Sequence, residues 1–353
     1  MKPPKSQSPA MGRRDFMAVS AAAVAGAAVV APSASVSAQT GAGTDGLIHR
    51  NERPDKMTYR KLGRTNFMSS RLVFGCGAAL QGGKGVNLLE RAFEEGVNFF
   101  DVGSNSYYKQ SENNLAPFMK RRRADIWVTS KAPIRLGTVL REEDELTVEL
   151  AKQAADIWTR LLEASLKDLD TDYIDAYYIM MVDHPAIVKC AEIREAFDKA
   201  KAAGKVGHFG ISTHRRANVC LEAAVEAGWY DLAMIAVTPA GWFDMAAMGP
   251  VRNGPDLKGM RPSLDKAREA GIGLIGMKTG RFLAPMAEGG RNKTDAFDTF
   301  YGEKLLGATL SPFQRAYAYV LENGLDVMNA DMQNFGHFEE NLVAARTSHE
   351  YLA

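Results

Sequence analysis

The 353-residue sequence predicts an α/β fold in which eight parallel strands alternate with helices and close into a (β/α)8 TIM barrel. Three observations carry this. From Met57 onward, short apolar runs alternate with longer stretches of helical periodicity, the pattern of βα units around a parallel sheet. Eight such runs are spread over a length that suits a barrel with modest insertions. Glycine also recurs just after the helical stretches, at Gly96, Gly204, Gly228, Gly271 and Gly324, where a left-handed residue closes a last turn.

Taken in order, residues 57–63 read as part of a small hairpin closing the barrel floor. Strands are expected over 71–75, 98–102, 126–130, 174–181, 206–212, 232–237, 273–278 and 327–331. Between them, 148–169 carries Leu150, Ala154, Ile157, Trp158, Leu161, Leu162, Leu166 and Leu169, an apolar stripe of helical period that packs on the barrel. Shorter helices are expected over 193–203, 216–227, 264–270, 312–322 and 338–346. The structural rival is a doubly wound open sheet. No GxGxxG follows the first strand, which counts against a dinucleotide-binding domain of that kind.

Lys plus Arg number 43 and Asp plus Glu 42, so the overall charge gives no reason to expect nucleic acid or an anionic membrane as partner. Cys76, Cys190 and Cys220 form no CxxC pair. That rules out a zinc knuckle or iron–sulfur motif, and no metal is expected. Buried thiols are the default for all three, with a Cys190–Cys220 bridge as the alternative.

The first forty residues differ from the rest. Residues 1–14 hold Lys2, Lys5, Arg13 and Arg14 and no acid, an uncharged stretch runs from Ala18 to Thr40, and Val36-Ser37-Ala38 offers a small-residue cleavage site. This is a secretory signal, too weakly hydrophobic for a stable membrane span after cleavage. Gly12-Arg13-Arg14-Asp15-Phe16-Met17 resembles the twin-arginine export motif, with Gly where Ser or Thr is usual. The expected organisation is a signal over 1–38, a linker over 39–56 and the barrel domain over 57–353. The twin-arginine translocase is then a partner during export, and the location is periplasmic or secreted. That route carries proteins already folded, often around a cofactor.

Several segments appear in a telling order. They are Tyr59-Arg60-Lys61-Leu62-Gly63-Arg64-Thr65, Gly96-Val97-Asn98-Phe99-Phe100-Asp101 and Val128-Thr129-Ser130-Lys131, then Thr171-Asp172-Tyr173-Ile174-Asp175, Gly210-Ile211-Ser212 and Glu339-Glu340-Asn341-Leu342. Together they resemble the aldo-keto reductases across 57–345. The resemblance implies that Asp101, ending the second strand, and Lys131, ending the third, act on a tyrosine hydroxyl. An ammonium beside a phenol favours the phenolate, and the carboxylate keeps the ammonium charged and oriented. The tyrosine then protonates a carbonyl oxygen as hydride arrives from a nicotinamide. The bland alternative is a structural ion pair in the barrel mouth.

The tyrosine is displaced. Ser106 holds the family position five residues after the Asp, and Tyr107 and Tyr108 follow. Counted back from Ser111-Glu112, Tyr108 is favoured, with Tyr107 as the alternative. Met180 stands where the family places a histidine, and a thioether cannot relay a proton. His184, just beyond, reads as a surface or loop residue.

The resemblance also implies NADP, or NAD, as cofactor. Ser212 matches a residue near the carboxamide, although its usual Asn partner is Thr213 and an expected Gln is Met234. Glu340 and Asn341 match the pair that contacts adenine, Asn334 falls near the nucleotide loop, and Lys278, with Thr279 and Arg281, is a candidate for the pyrophosphate. Where a basic residue would meet a 2′-phosphate, Asp331, Gln333 and Asn334 stand. Trp242 and Phe243 are candidates for a pocket taking a carbonyl or sugar-like substrate.

Two functions remain: an NAD(P)-dependent oxidoreductase holding its cofactor tightly, or a barrel that lost reductase chemistry and serves as a binding protein or runs another reaction. Met180, Met234 and Asp331 motivate the second.

Overall fold

The computed structural model describes residues 46–351, so the expected signal segment lies outside the described residues. A two-stranded antiparallel hairpin, β1 (Tyr59–Lys61) and β2 (Met68–Ser70), precedes the barrel. Eight parallel strands follow: β3 (Leu72–Gly75), β4 (Phe99–Asp101), β5 (Trp127–Pro133), β6 (Ile174–Met180), β7 (Val206–Thr213), β8 (Leu232–Thr238), then β11 (Gly273–Met277) and β12 (Val327–Asp331). Each pairs with its neighbour, and β12 returns to β3, so the sheet closes and leaves no edge. Between β8 and β11 a short antiparallel pair, β9 (Gly241–Asp244) and β10 (Gly249–Pro250), extends from the end of β8. Sequence periodicity did not show it.

The helices wrap the outside. They are α1 (Cys76–Leu80), α2 (Leu88–Glu94), α3 (Asn105–Tyr108), α4 (Ser111–Arg122), α5 (Val148–Asp168), α6 (Pro185–Val188), α7 (Ala191–Ala202), α8 (Ala217–Ala227), α9 (Arg261–Glu269), α10 (Glu303–Leu306), α11 (Pro312–Glu322) and α12 (Phe335–Tyr351). Local chemistry fixes their ends. Thr147 caps α5 by accepting from the Leu150 amide at 3.3 Å. Ser311 and Gln314 form a reciprocal capping box on α11 with Pro312 in its first turn. Of the predicted α5 stripe, Ala154, Trp158, Leu161, Leu162 and Leu166 are buried. Helices α2 and α4 were missed because their apolar faces are short; α4 is strongly polar and carries Pro117.

The barrel interior is filled rather than hollow. Leu62 and Phe67 plug the floor beneath Val73, Phe99, Trp127, Tyr178 and Ile275, and Phe67 stacks on Trp127 at 4.6 Å. Gly63 lets the hairpin reach the floor: a Cβ there, at φ +54°, would lie 2.3 Å from the Gly273 amide nitrogen.

Part of the expected linker is instead tied to this floor. Ile48 bridges to Phe67, and the Asn98 side chain donates to the Arg50 carbonyl at 2.7 Å. The buried Arg50 guanidinium donates to Asp175 at 2.9 Å and to the Ile126 carbonyl at 2.6 Å. Polar composition made the segment look like a linker, but its Arg and Asn find buried partners. The three cysteines are free and buried, so the Cys190–Cys220 bridge is not formed.

Asp175 is sealed under the barrel, where Arg50, Arg123 and the Val128 amide share it. Replacing Arg50 by Ala leaves the carboxylate buried with one cation fewer. The expected loss is about 3 kcal/mol of unfolding free energy, the lower end for breaking a buried pair because Arg123 remains. Urea denaturation of wild type and Arg50→Ala reads this directly, and an unchanged midpoint would show the segment to be loosely attached.

Candidate active site

A cavity of about 730 Å3 opens at the C-terminal ends of the barrel strands, within the range of small-molecule sites. Every barrel strand contributes to its lining: Gly75, Asp101, Lys131, Met180, Ser212, Met234, Met277 and Asn329. Parallel strands all end on the same face, so topology alone gathers residues that lie far apart in sequence.

At its base lies an ion pair. The Lys131 ammonium donates to both Asp101 oxygens at 2.6 Å and to the Val102 carbonyl. Asp101 also accepts from the Thr129 hydroxyl at 2.6 Å and the Asn329 amide at 2.7 Å. Both charged residues are buried, so each depends on the other and on these dipoles for what water would have supplied. Asn329 was missed by sequence reading. It shares a pleat face with Val327 and Asp331, a signal that alternation along a strand could have revealed. Gly75 makes room for it, since a Cβ there would sit 2.7 Å from the Asn329 side-chain oxygen.

The structure separates the two candidate tyrosines. Tyr108 lines the cavity, whereas Tyr107 is 40% exposed and meets Tyr108 edge-on at 4.8 Å. The Tyr108 ring lies against Gly77 and Gly103, where a Cβ would come within 2.7 and 2.9 Å of it. Beyond it the chain turns through Lys109 and Gln110, both at positive φ, before α4 begins at Ser111. Ser111 locks the turn by donating to the Gly77 carbonyl at 2.6 Å, and Glu112 accepts from Ser130 at 2.6 Å and from the Asn105 amide at 3.0 Å. The electrostatics differ from the expectation of a lowered phenol. Burial first, then Asp101, Tyr107 and Asp331, hold the Tyr108 hydroxyl well above its usual range. Lys131 is turned to Asp101 and Val102.

The cofactor candidates divide. Ser212 faces the cavity and its hydroxyl is buried without a partner. Thr213 does not face it: pleat alternation turns it away, and its hydroxyl donates to the Arg215 carbonyl at 2.8 Å. Lys278, Asn334, Glu340 and Asn341 all line the cavity. Asn334 accepts from the His337 amide at 2.9 Å, and the Ser311 hydroxyl donates to Glu340. Lys278 has φ +66° and forms no ion pair among the described residues. Burial, then Arg281 and Lys131, lowers its ammonium, while Asp331 works the other way. Arg281 also lines the cavity, with its Nε buried and unpartnered. Thr279 is buried and donates to the Val237 carbonyl at 2.7 Å.

Trp242 and Phe243 are not cavity residues. Both are buried in β9, Phe243 in the cluster that fills the barrel. His184 is buried rather than on the surface: it caps α6, accepting from the Ala186 amide at 3.2 Å, and its Nε2 lies 2.6 Å from the Arg141 carbonyl. Two histidines line the cavity, His337 and His214, the latter two residues beyond Ser212, and sequence reading passed over both. Among the described residues no group of three or more His, Cys, Asp or Glu is placed to hold a metal. None of the described helices is long and apolar enough to cross a membrane.

Comparison with known proteins agrees with the barrel fold. Residues 75–247 match the model of the Aldo/keto reductase family. A Glycine max protein named "Probable aldo-keto reductase 1" is 30% identical over 183 residues, 48% of this chain and 50% of that protein. The Bacillus subtilis oxidoreductase YqkF is 27% identical over 162 residues, 45% of this chain and 50% of its own. The chain thus spans about half the length of these curated relatives. Among solved structures, an aldo-keto reductase assigned in Pseudomonas aeruginosa is 20% identical and superposes with TM-score 0.56, covering 82% of this chain and 95% of that one. A thermostable aldo-keto reductase solved with the inhibitor epalrestat is 21% identical, with TM-score 0.58, covering 82% and 94%. At such identities the solved structures establish the fold.

Burial, then Lys278 and Lys131, push the His214 imidazole down from 6.5 to about 3. Its folded value is depressed, so between about 6.5 and about 3 the unfolded chain binds a proton that the folded chain refuses. Stability contributed by this group is therefore present above pH 6.5 and lost as pH falls towards 3. The difference in unfolding free energy between wild type and His214→Gln should shift against wild type from pH 7.5 to pH 5; a difference independent of pH would contradict the burial of the ring.

Proposed function

We propose that this protein is an NAD(P)-dependent oxidoreductase of the aldo-keto reductase type, moving hydride to or from a carbonyl or alcohol substrate. The observation that supports it most is the buried Asp101–Lys131 pair beneath a cavity walled by Tyr108. A bare ion pair would suffice for structure. Here the carboxylate takes three donor groups, Thr129, Lys131 and Asn329, and the adjoining cavity carries buried groups with no partner among the described residues.

The residues present fit a nicotinamide dinucleotide. The Ser212 hydroxyl, unpartnered among the described residues, suits a carboxamide, and Lys278 with Arg281 brings positive charge that forms no ion pair among the described residues and would suit a pyrophosphate. Asn334, Glu340 and Asn341 line the part of the wall formed by α12 and would meet the adenosine end. When bound, the cofactor supplies or accepts the hydride. Tyr108 supplies the proton at its phenolic oxygen, and its raised phenol keeps that proton in place until a developing alkoxide takes it. Lys131, held by Asp101, gives the positive field that steadies the phenolate left behind.

NADP and NAD both fit this wall. Asp331 at the mouth bonds Gln333 at 2.8 Å and would repel a 2′-phosphate, which favours NAD. The export signal read over 1–38 completes the proposal. A protein exported by the twin-arginine route would fold with its cofactor in the cytoplasm and carry it, tightly bound, to the periplasm or beyond. The second reading, a barrel without reductase chemistry, draws on Met180, whose thioether lines the cavity where a proton-bearing side chain would serve.

Fluorescence of NADH or NADPH titrated with purified protein separates these readings. Saturable binding is expected, with Tyr108→Phe lowering turnover of aldehydes at least 100-fold while nucleotide affinity stays within about twofold. No saturable binding would remove the oxidoreductase reading. Full activity in Tyr108→Phe would take the proton role from this tyrosine.

A further inference from the structure

On the oxidoreductase reading above, we infer that His214 donates a hydrogen bond from a neutral imidazole to the substrate's carbonyl oxygen, a role Met180 on the neighbouring strand cannot fill. The placement follows from register. Met180 pairs with Ser212 across β6 and β7, and Ser212 pairs with Met234 across β7 and β8. Ser212 and His214 both line the cavity while Thr213, between them, turns out of it. His214 therefore stands one pleat further towards the mouth than Ser212, and one strand over from Met180.

Its ring is built for donation rather than for ionisation. Nδ1 is buried and has no hydrogen-bond partner among the described residues. A buried N–H without an acceptor costs more than a bare lone pair with spare capacity, so the proton belongs on Nε2. The charged groups acting on the ring are Lys278, at the end of β11, and Lys131, at the end of β5. Both are cations, and both disfavour an imidazolium. Of the carboxylates lining the cavity, Asp101 is engaged by Lys131, Thr129 and Asn329, Asp331 accepts from Gln333 and Glu340 from Ser311, and Glu288 lies on its wall. A neutral imidazole between two cations is a donor that stays a donor across the physiological range.

The chemistry balances without a proton from His214. In reduction, the carbonyl carbon gains a hydride from the reduced nicotinamide, which is oxidised, and the oxygen gains the proton that leaves the Tyr108 hydroxyl. His214 keeps its proton throughout and stabilises the charge that builds on oxygen, where a single well-aimed donor typically contributes a factor of about 100 or more.

The test compares wild type, His214→Ala and His214→Gln as purified full-length proteins. Each is titrated with NADH and NADPH by fluorescence, then assayed for reduction of a panel of aliphatic and aromatic aldehydes and ketones. Expected for His214→Ala is nucleotide affinity within about threefold of wild type and kcat down about 100-fold. His214→Gln, whose amide also donates, should recover part of that loss. The wild-type kcat should show no ionisation between pH 5 and 8 that the Gln variant lacks. His214→Ala with near-normal kcat and nucleotide bound overturns this inference alone. So does a wild-type ionisation near pH 6.5 that vanishes in His214→Gln, because it would make the histidine a titrating acid. A wild type that binds no nicotinamide nucleotide, or binds it and reduces nothing in the panel, overturns the oxidoreductase reading and this inference with it.

Discussion

An ammonium and a carboxylate held out of water are tolerable only together, and the mouth of this barrel is arranged around that requirement. Removing one partner of such a pair typically costs about 3–5 kcal/mol. Asp101 ends β4 opposite Thr129, and Lys131 stands two residues further along β5, so the two strands bring them together without any loop having to fold correctly first. Thr129 and Asn329 supply the remaining donors, the latter from the strand that closes the barrel. The pair thus reports on closure: if β12 did not return to β3, Asp101 would lose its amide partner.

Around that fixed point the cavity is mixed in character. Tyr108 is held by a loop with two positive-φ residues, wedged between two glycines and anchored through Ser111 and Glu112. Ser212, His214, Lys278 and Arg281 all bring polar or charged groups to the wall, and several lack protein partners. Two methionines, Met180 and Met234, stand among them. Met234 takes only a weak contact from the Asn329 amide, at 3.3 Å to its sulfur. The cavity therefore pairs a polar, under-satisfied wall with two softer methionine side chains.

Much of this was legible in the sequence, for identifiable reasons. All eight barrel strands were found within a residue or three at each end, because buried parallel strands read as apolar runs. Asp101 and Lys131 were expected at strand ends, where barrels work, and both line the cavity there. What escaped depended on three-dimensional context. The choice between Tyr107 and Tyr108 turns on which ring the glycines admit. His214 and Asn329 were recoverable from pleat alternation, but only once the exact strand ends were known. Trp242 and Phe243 looked like pocket residues by position, yet β9 carries them into the core. His184 was expected on the surface or in a loop; it does stand in the loop before α6, but buried, with its imidazole serving as the helix cap. The tail of the expected linker was misread because composition does not show that Arg50 has a buried carboxylate waiting.

The central claim is that hydride passes to a carbonyl within this cavity, above the Asp101–Lys131 pair. Isotope tracing addresses it most directly. Wild-type protein is supplied with NADH or NADPH deuterated at the transferring carbon and with 4-nitrobenzaldehyde, and the alcohol product is weighed by mass spectrometry. The account predicts one deuterium at the carbinol carbon from wild type, and none above background from Lys131→Met. Unlabelled alcohol, or equal labelling by Lys131→Met, would contradict it.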